Sequence, residues 1–308
     1  MTNHTTVTEF VFLGLTSRKD LQTALFILFS VVYILTLTGN LLIIAAVRLD
    51  SNLHTPMYSY LANFAFLEIW YTTVTIPKML ADFLLQVKAI SFAGCFLQFY
   101  FLFSLGATQC FFLTLMGFDR YLAICHPLRY PALINTVVSK RLAGLCWMAG
   151  FMYNLAPVSF ISRLNFCGPN IINHYFCDPG PLLELACLRS YMADFILYAF
   201  TTAIIVSSLV FTLLTYMAII SAIVGISSSI GRQSAFSTCA SHLMVVVLYY
   251  GSVMFVYVRP ASRYPSDWNK MVPVLYSVVT PLLNPVIYSL RNRDVKKAMR
   301  KVIELCQK

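Results

Sequence analysis

Long stretches of this chain run without a formal charge, and their lengths set the architecture. Residues 21–47 carry none, and neither do 89–118, 142–162, 195–231, 233–258 and 271–290. A further apolar stretch, 58–81, is interrupted only by Glu68 and Lys78. A helix rises about 1.5 Å per residue, so roughly 20 residues cross the ~30 Å hydrocarbon core of a bilayer. The pattern therefore predicts an all-α membrane protein, a seven-transmembrane helix bundle in one domain over 1–308. The expected helices cover about 23–48, 57–81, 93–126, 140–160, 194–225, 234–258 and 269–290, after an extracellular segment 1–22. Residues 292–305 place Val295, Met299, Val302 and Ile303 on one face, with Lys296, Lys297, Arg300 and Lys301 elsewhere. That is the pattern of a short basic amphipathic helix lying on membrane lipid. No soluble domain, repeat or low-complexity segment is visible.

Composition supports the same class. The 308 residues are 59% hydrophobic and 11% charged, against about a quarter charged in soluble domains. The basic residues fix an orientation. With the N-terminus extracellular and the C-terminus cytoplasmic, 13 of the 22 lysines and arginines fall on the inner side, against four acids. The positive-inside rule selects that topology, and the net charge of +10 reflects topology and anionic lipid. No basic patch exists outside the loops, so no nucleic-acid partner is expected. The first 20 residues lack a central apolar run, so no cleavable signal peptide is expected and the first helix acts as its own anchor. Asn3-His4-Thr5 is a glycosylation sequon in the segment that topology places outside.

Catalytic chemistry finds no footing. The sequence contains neither HExxH nor GxSxG, and His4, His54, His126, His174 and His242 are scattered. The chain is not expected to be an enzyme. A transporter is disfavoured, because Glu68 is the only acid well inside a span and no inverted repeat appears. Two features inside the spans suggest polar work. Asn40 and Glu68 lie among apolar residues, where lipid offers no partner. Asp119 and Arg120 stand side by side at the end of the third span, a costly place for charge. Of nine cysteines, Cys95, Cys167, Cys177 and Cys187 fall on the oxidising side, and four cysteines permit three pairings. His174 and Asp178 flank Cys177, but two ligands do not close a metal shell, so no metal site is expected.

The motifs carry a resemblance. Asp119-Arg120-Tyr121 at the foot of the third span resembles the mark of rhodopsin-like G-protein-coupled receptors. The longer MGFDRYLAICHPLRY, residues 116–130, resembles their olfactory branch, as do LHTPMY at 53–58, AFSTCASHL at 235–243 and PLLNPVIYSLRN at 281–292. These span nearly the whole chain. Departures are Tyr60 for Phe, Gly117-Phe118 for Ala-Tyr, and Ser234 for Lys. The runner-up reading is a non-olfactory rhodopsin-like receptor for a small lipid-like ligand.

The resemblance to odorant receptors, class II type, implies a plasma-membrane protein that binds a small neutral odorant and activates a heterotrimeric stimulatory G protein, raising cyclic AMP. It assigns the switch to Asp119, Arg120, Tyr121, Tyr216, Asn284, Pro285 and Tyr288. It favours a Cys95–Cys177 disulfide with Cys167–Cys187 beside it, although Cys95–Cys187 stays open. It places the ligand in the outer half of the bundle. Leu102, Phe103, Gly106, Ala107 and Cys110 are expected to line the site from the third helix. Phe200, Thr201 and Ile204 are expected from the fifth, Tyr250, Val253, Met254 and Tyr257 from the sixth, and Val274 and Ser277 from the seventh. None of these is an ordinary acid or base, which points to a neutral, mainly apolar molecule. Tyr250, Tyr257, Thr201 and Ser277 are its candidate hydrogen-bonding partners. No cofactor is implied. A sodium ion held by Glu68 with Asn40, Gln109 and Asn284 is one reading of the polar core, and a protonated, hydrogen-bonded Glu68 is the other.

Overall fold

The computed structural model describes residues 7–167, 169–187, 191–225, 229–257 and 266–306. The Asn3 sequon lies outside them. The long helices are α1 (Lys19–Leu49), α2 (Pro56–Leu84), α3 (Phe92–Cys125), α5 (Thr136–Ser162), α7 (Tyr191–Val224) and α8 (Ser229–Tyr257). Short helices α4 (Tyr130–Leu133) and α6 (Pro179–Leu183) interrupt the loops, and α9 (Ser266–Val274), α10 (Thr280–Arg291) and α11 (Arg293–Cys306) close the chain. Five stretches are long and apolar enough to cross a membrane: Lys19–Leu49, Phe92–Cys125, Thr136–Ser162, Tyr191–Val224 and Lys270–Tyr288. A shorter apolar stretch, Cys239–Phe255, lies within α8. Helix α2 has 29 residues but carries Glu68, Lys78 and Asp82.

The helices overrun the uncharged stretches. Helix α1 begins at Lys19 rather than near 23, with Asp20 in its first turn and Arg48 in its last. Charges of those signs suit the helix dipole, so cutting at formal charges finds only the apolar middle. The expected helix 269–290 is divided. A π-helical segment, Leu275–Val279, separates α9 from α10, next to Pro281 and Pro285, which bring no backbone N–H.

Burial differs from that of a water-soluble bundle, because apolar side chains cover the outside as well as fill the core. Helix α1 exposes Ile27, Leu28, Val31, Ile34, Leu35 and Leu41. The interior holds Asn40, Glu68, Thr108, Gln109, Asp119, Ser277 and Asn284. An apolar exterior around a polar-seeded core is what lipid as solvent requires. Helix α3 is the hub, packing against α2, α5, α7 and α8. Gly150 of α5 makes that possible on one side, since a Cβ there would lie 2.0 Å from Thr108 Oγ1 and 2.9 Å from the Thr108 nitrogen. On the far side of the bundle, a Cβ on Gly39 would lie 3.0 Å from Pro285 Cβ.

The end of the bundle away from Arg120 carries a roof. Strand β1 (Glu9–Phe12) pairs antiparallel with β2 (Ala89–Ser91) and parallel with β3 (Ile171–Ile172). Phe10 and Phe12 are buried beneath it, and the Phe10 ring meets Phe92 and Phe166 at 5.8 and 5.7 Å. Two disulfides fasten the roof. Cys95–Cys177 ties α3 to the loop, and Cys167–Cys187 closes that loop on itself, with Cα separations of 5.5 and 4.8 Å. At the opposite end, α11 lies against α1. Val295, Ala298 and Val302 are buried, whereas Ile303 is exposed. Lys301 pairs with Asp50 at 2.8 Å and holds its carboxyl below the usual range.

The α3–α5 contact gives a stability test. Gly150→Ala forces a Cβ into backbone and is expected to cost about 1–3 kcal/mol, read as a lower Tm of the detergent-solubilised protein. Gly144→Ala, with nothing within 4 Å, is the control. Equal Tm for the two variants contradicts the close approach.

Candidate functional site

Beneath the roof lies a cavity with about 510 Å³ of space between its walls, part of it open outward. Helix α3 supplies Leu102, Phe103, Gly106, Ala107 and Cys110, and α7 supplies Thr201, Ile204 and Ile205. Val253, Tyr249 and Tyr257 come from α8, Tyr153 and Asn154 from α5, Tyr71 from α2 and Tyr276 from the π-segment. None is an acid, a base or a histidine. Of the residues expected from sequence, Phe200, Tyr250, Met254, Val274 and Ser277 do not line it. The Phe200 carbonyl accepts from the Tyr153 hydroxyl at 2.8 Å. Tyr250 is buried behind the wall, and Ser277 bonds the Tyr175 hydroxyl at 3.1 Å. Sequence reasoning missed Tyr71, Tyr153, Asn154, Ile205, Tyr249 and Tyr276. The Tyr249-Tyr250 pair was the one available signal, and one helical step of about 100° separates its two rings.

The roof reaches the cavity through Asp178. This buried carboxylate caps α6 by accepting from the Gly180 N–H at 3.0 Å, and it accepts from the Tyr257 hydroxyl at 3.1 Å. Tyr276 in turn donates to Tyr257 at 2.6 Å. Burial pushes the Asp178 carboxyl up to about 6, against these two hydrogen bonds.

In the middle of the bundle, Asn284 Nδ2 donates to Glu68 Oε1 at 2.6 Å, with Gln109 beside the same carboxyl. Glu68 Oε2 and Asn284 Oδ1 are buried and have no hydrogen-bond partner among the described residues. Asn40 does not join them. Its amide donates to the carbonyls of Thr36 and Pro281, at 2.9 and 3.3 Å.

At the far end, Arg120 Nη2 donates to Asp119 Oδ2 at 2.6 Å, and the Tyr130 hydroxyl donates to Asp119 Oδ1 at 2.8 Å. Tyr121 turns away to His126, at 3.1 Å. Tyr216 is held by His242 Nδ1 at 2.6 Å. A second, smaller cavity brings Arg120 together with Ser241, His242, Tyr288 and Asn292. Four buried atoms there have no hydrogen-bond partner among the described residues: Arg120 Nε, Ser241 Oγ, His242 Nε2 and the Tyr288 hydroxyl. Tyr130, Ser241 and His242 were not singled out from sequence, though a histidine inside an apolar span is itself a signal.

Apolar-faced helices enclose a cavity without charged walls at one end and an Asp-Arg pair at the other, and it is the family of the chain that makes it a receptor and not an enzyme. The chain belongs to the olfactory receptor family, whose sequence profile matches residues 29–308. It is 51% identical to human Olfactory receptor 11H6 over 299 residues, covering 97% of this chain and 91% of that one. Human Olfactory receptor 11G2 is 50% identical over 299 residues, 97% and 87% of the two chains. Rat Olfactory receptor 226 is 48% identical over 305 residues, 98% and 93%. Members of this family are multi-pass plasma-membrane receptors.

Asp178 makes a pH prediction. Its folded value near 6 lies above the ordinary 3.8. Between those pH values the unfolded chain releases its proton first. Stability is therefore full below about pH 4 and falls as pH rises through 6, by on the order of 2–3 kcal/mol. Tm of the solubilised protein should decline across that window relative to Asp178→Asn. Parallel curves for the two proteins contradict the assignment.

Proposed function

We propose that this chain is an odorant receptor with seven crossing helices, an extracellular N-terminus and a cytoplasmic C-terminus. Its ligand is a small neutral volatile in the cavity under the roof, and its partner is a heterotrimeric stimulatory G protein whose activation raises cyclic AMP. The observation that carries this reading is the cavity wall, which contains no charged side chain. Family membership supplies the rest of the argument. Helix α2 and the α8 span complete the count of seven, with Glu68 turned inward where protein can satisfy it. The basic excess on the Arg120 side supports the orientation.

The mechanism is a population shift between two arrangements of the Arg120 end. In the closed one, Arg120 is held by Asp119 and Tyr216 by His242. A ligand favours the open one only through tighter binding to it. In the open arrangement α8 swings outward, and Arg120, Tyr216 and Tyr288 rearrange to admit a G-protein helix. Arginine suits the role because its guanidinium keeps its charge throughout. Asn284 and Pro285 lie on α10 between the two ends. Asn3 is the expected glycosylation site, and α11 meets membrane lipid.

Two experiments test this. A cyclic-AMP reporter screened with a volatile panel should respond in cells displaying the wild-type chain, and Arg120→Ala should abolish the response at equal surface expression. Signals that persist in the variant contradict the switch. The two unpartnered oxygens of Glu68 and Asn284 suit either a sodium ion or a proton on the carboxyl. A sodium-dependent rise in EC50 that Glu68→Gln removes identifies the ion, with Gln109 and Asn284 completing its donors. Sodium independence in both proteins identifies the protonated acid.

A further inference from the structure

The proton inventory of the outer cavity narrows what it can hold. Nearly every polar hydrogen facing it is already used by the protein. Tyr153 donates to the Phe200 carbonyl and Tyr249 to the Gly106 carbonyl, both at 2.8 Å. Asn154 Nδ2 donates to the Phe103 and Gly150 carbonyls at 3.2 and 3.3 Å. Tyr276 donates to Tyr257, and Tyr257 to Asp178. These groups shape the wall but have no proton left for a ligand. Two hydroxyls differ. Among the described residues, no hydrogen bond involves the side chain of Tyr71 or Thr201, and both line the cavity. Tyr71 is 3% exposed, and it meets the cavity, so its hydroxyl opens onto that space. A hydroxyl there with no protein acceptor is free to donate to a ligand acceptor placed against it.

We propose that Tyr71 and Thr201 are the two residues that grip the ligand's polar end, and that this end is an oxygen acceptor without charge: a ketone, aldehyde or ester on an apolar frame. The assignment rests on the odorant-receptor reading and deepens it. Tyr71 projects from α2 and Thr201 from α7, two helices that both pack on α3. A carbonyl oxygen accepts a proton from such a hydroxyl and has none of its own to place. An alcohol oxygen must also place its own proton. A methyl group in the same position takes neither. A carboxylate finds no cation in the wall, and an ammonium finds Asp178 already committed to Gly180 and Tyr257.

The test uses matched volatiles in which one frame carries C=O, CH–OH or CH–CH3, in graded lengths and in linear and cyclic forms. Receptors are wild type, Tyr71→Phe and Thr201→Val. Two readouts run in parallel: cyclic AMP in cells with surface expression measured, and ligand-induced thermal shift of the solubilised protein. In any frame that responds, the ketone should be the most potent of the three. Each substitution should raise its EC50 about tenfold, the worth of one hydrogen bond, and leave the hydrocarbon unchanged. Equal shifts for ketone and hydrocarbon in both variants mean that the side chains only pack, and overturn the proposal. A thermal shift that depends on Tyr71 without any cyclic-AMP signal upholds the grip and refutes the signalling reading. Silence in both readouts with a surface-expressed wild-type chain refutes both. Thr201→Val carries the test if Tyr71→Phe fails to reach the surface.

Discussion

The carbonyl of Pro281 has no helical donor, because the residue four positions on is Pro285 and brings no N–H. In a lipid-surrounded core such a carbonyl must be met by protein. Asn40 meets it, from α1. The adjacent Gly39 lets α1 come close enough, since any Cβ there would press on Pro285. Around this docking point the rest of the polar core is arranged. Asn284, next to Pro285, reaches the other way to Glu68 on α2. Two helices, α1 and α2, are thus held at one defect in the backbone ladder of a third, α10. The same prolines sit beside the π-segment, which turns Tyr276 toward the ligand cavity and Ser277 toward Tyr175.

That arrangement explains what could be read from sequence. Charge-free runs are a property of composition, and lipid enforces them, so the helical elements were legible. The Asp119-Arg120 pair was legible because charge at that depth is conspicuous, and the outer cysteines because only four lie together outside. Direction around each helix axis was harder. Leu102, Phe103, Gly106, Ala107 and Cys110 share one face of a regular α3. Tyr250 and Tyr249 are one residue apart, and the choice between them needs the rotation of α8. Val274 and Ser277 depended on an unbroken helix, which the π-segment interrupts. Tyr71 lies on α2, a helix from which no ligand contact was expected, and its place in the wall depends on how α2 is rotated against α3. Asn40 was legible as a polar residue needing a partner, but its partner, a bare carbonyl, leaves no mark in the sequence.

The two ends of the bundle manage polarity in opposite ways. At the ligand end the protons of tyrosine and asparagine are spent on carbonyls and on Asp178, which leaves a wall that is chemically quiet apart from two hydroxyls. At the Arg120 end, four buried polar atoms are left unsatisfied around one cavity. Unmet donors raise the energy of the arrangement that contains them. The structure therefore holds, at the Arg120 end, polar groups that a rearrangement could satisfy.

The roof has a history as well as a shape. Strand β1 is among the first residues made, yet Asn170, which donates to the Glu9 carbonyl, follows it by 161 positions. Cys95 likewise precedes Cys177 by 82, whereas Cys167 and Cys187 are separated by 20. At synthesis rates of about 5–20 residues per second, β1 waits roughly 10–30 s for its parallel neighbour. Throughout that interval the apolar edge of β1 lacks its parallel neighbour, and Cys95 lacks its disulfide partner. Assembly of the roof is consequently a late event for β1, although β1 is made before all the helices. A chaperone acting on this chain would meet β1 for longer than it meets β3.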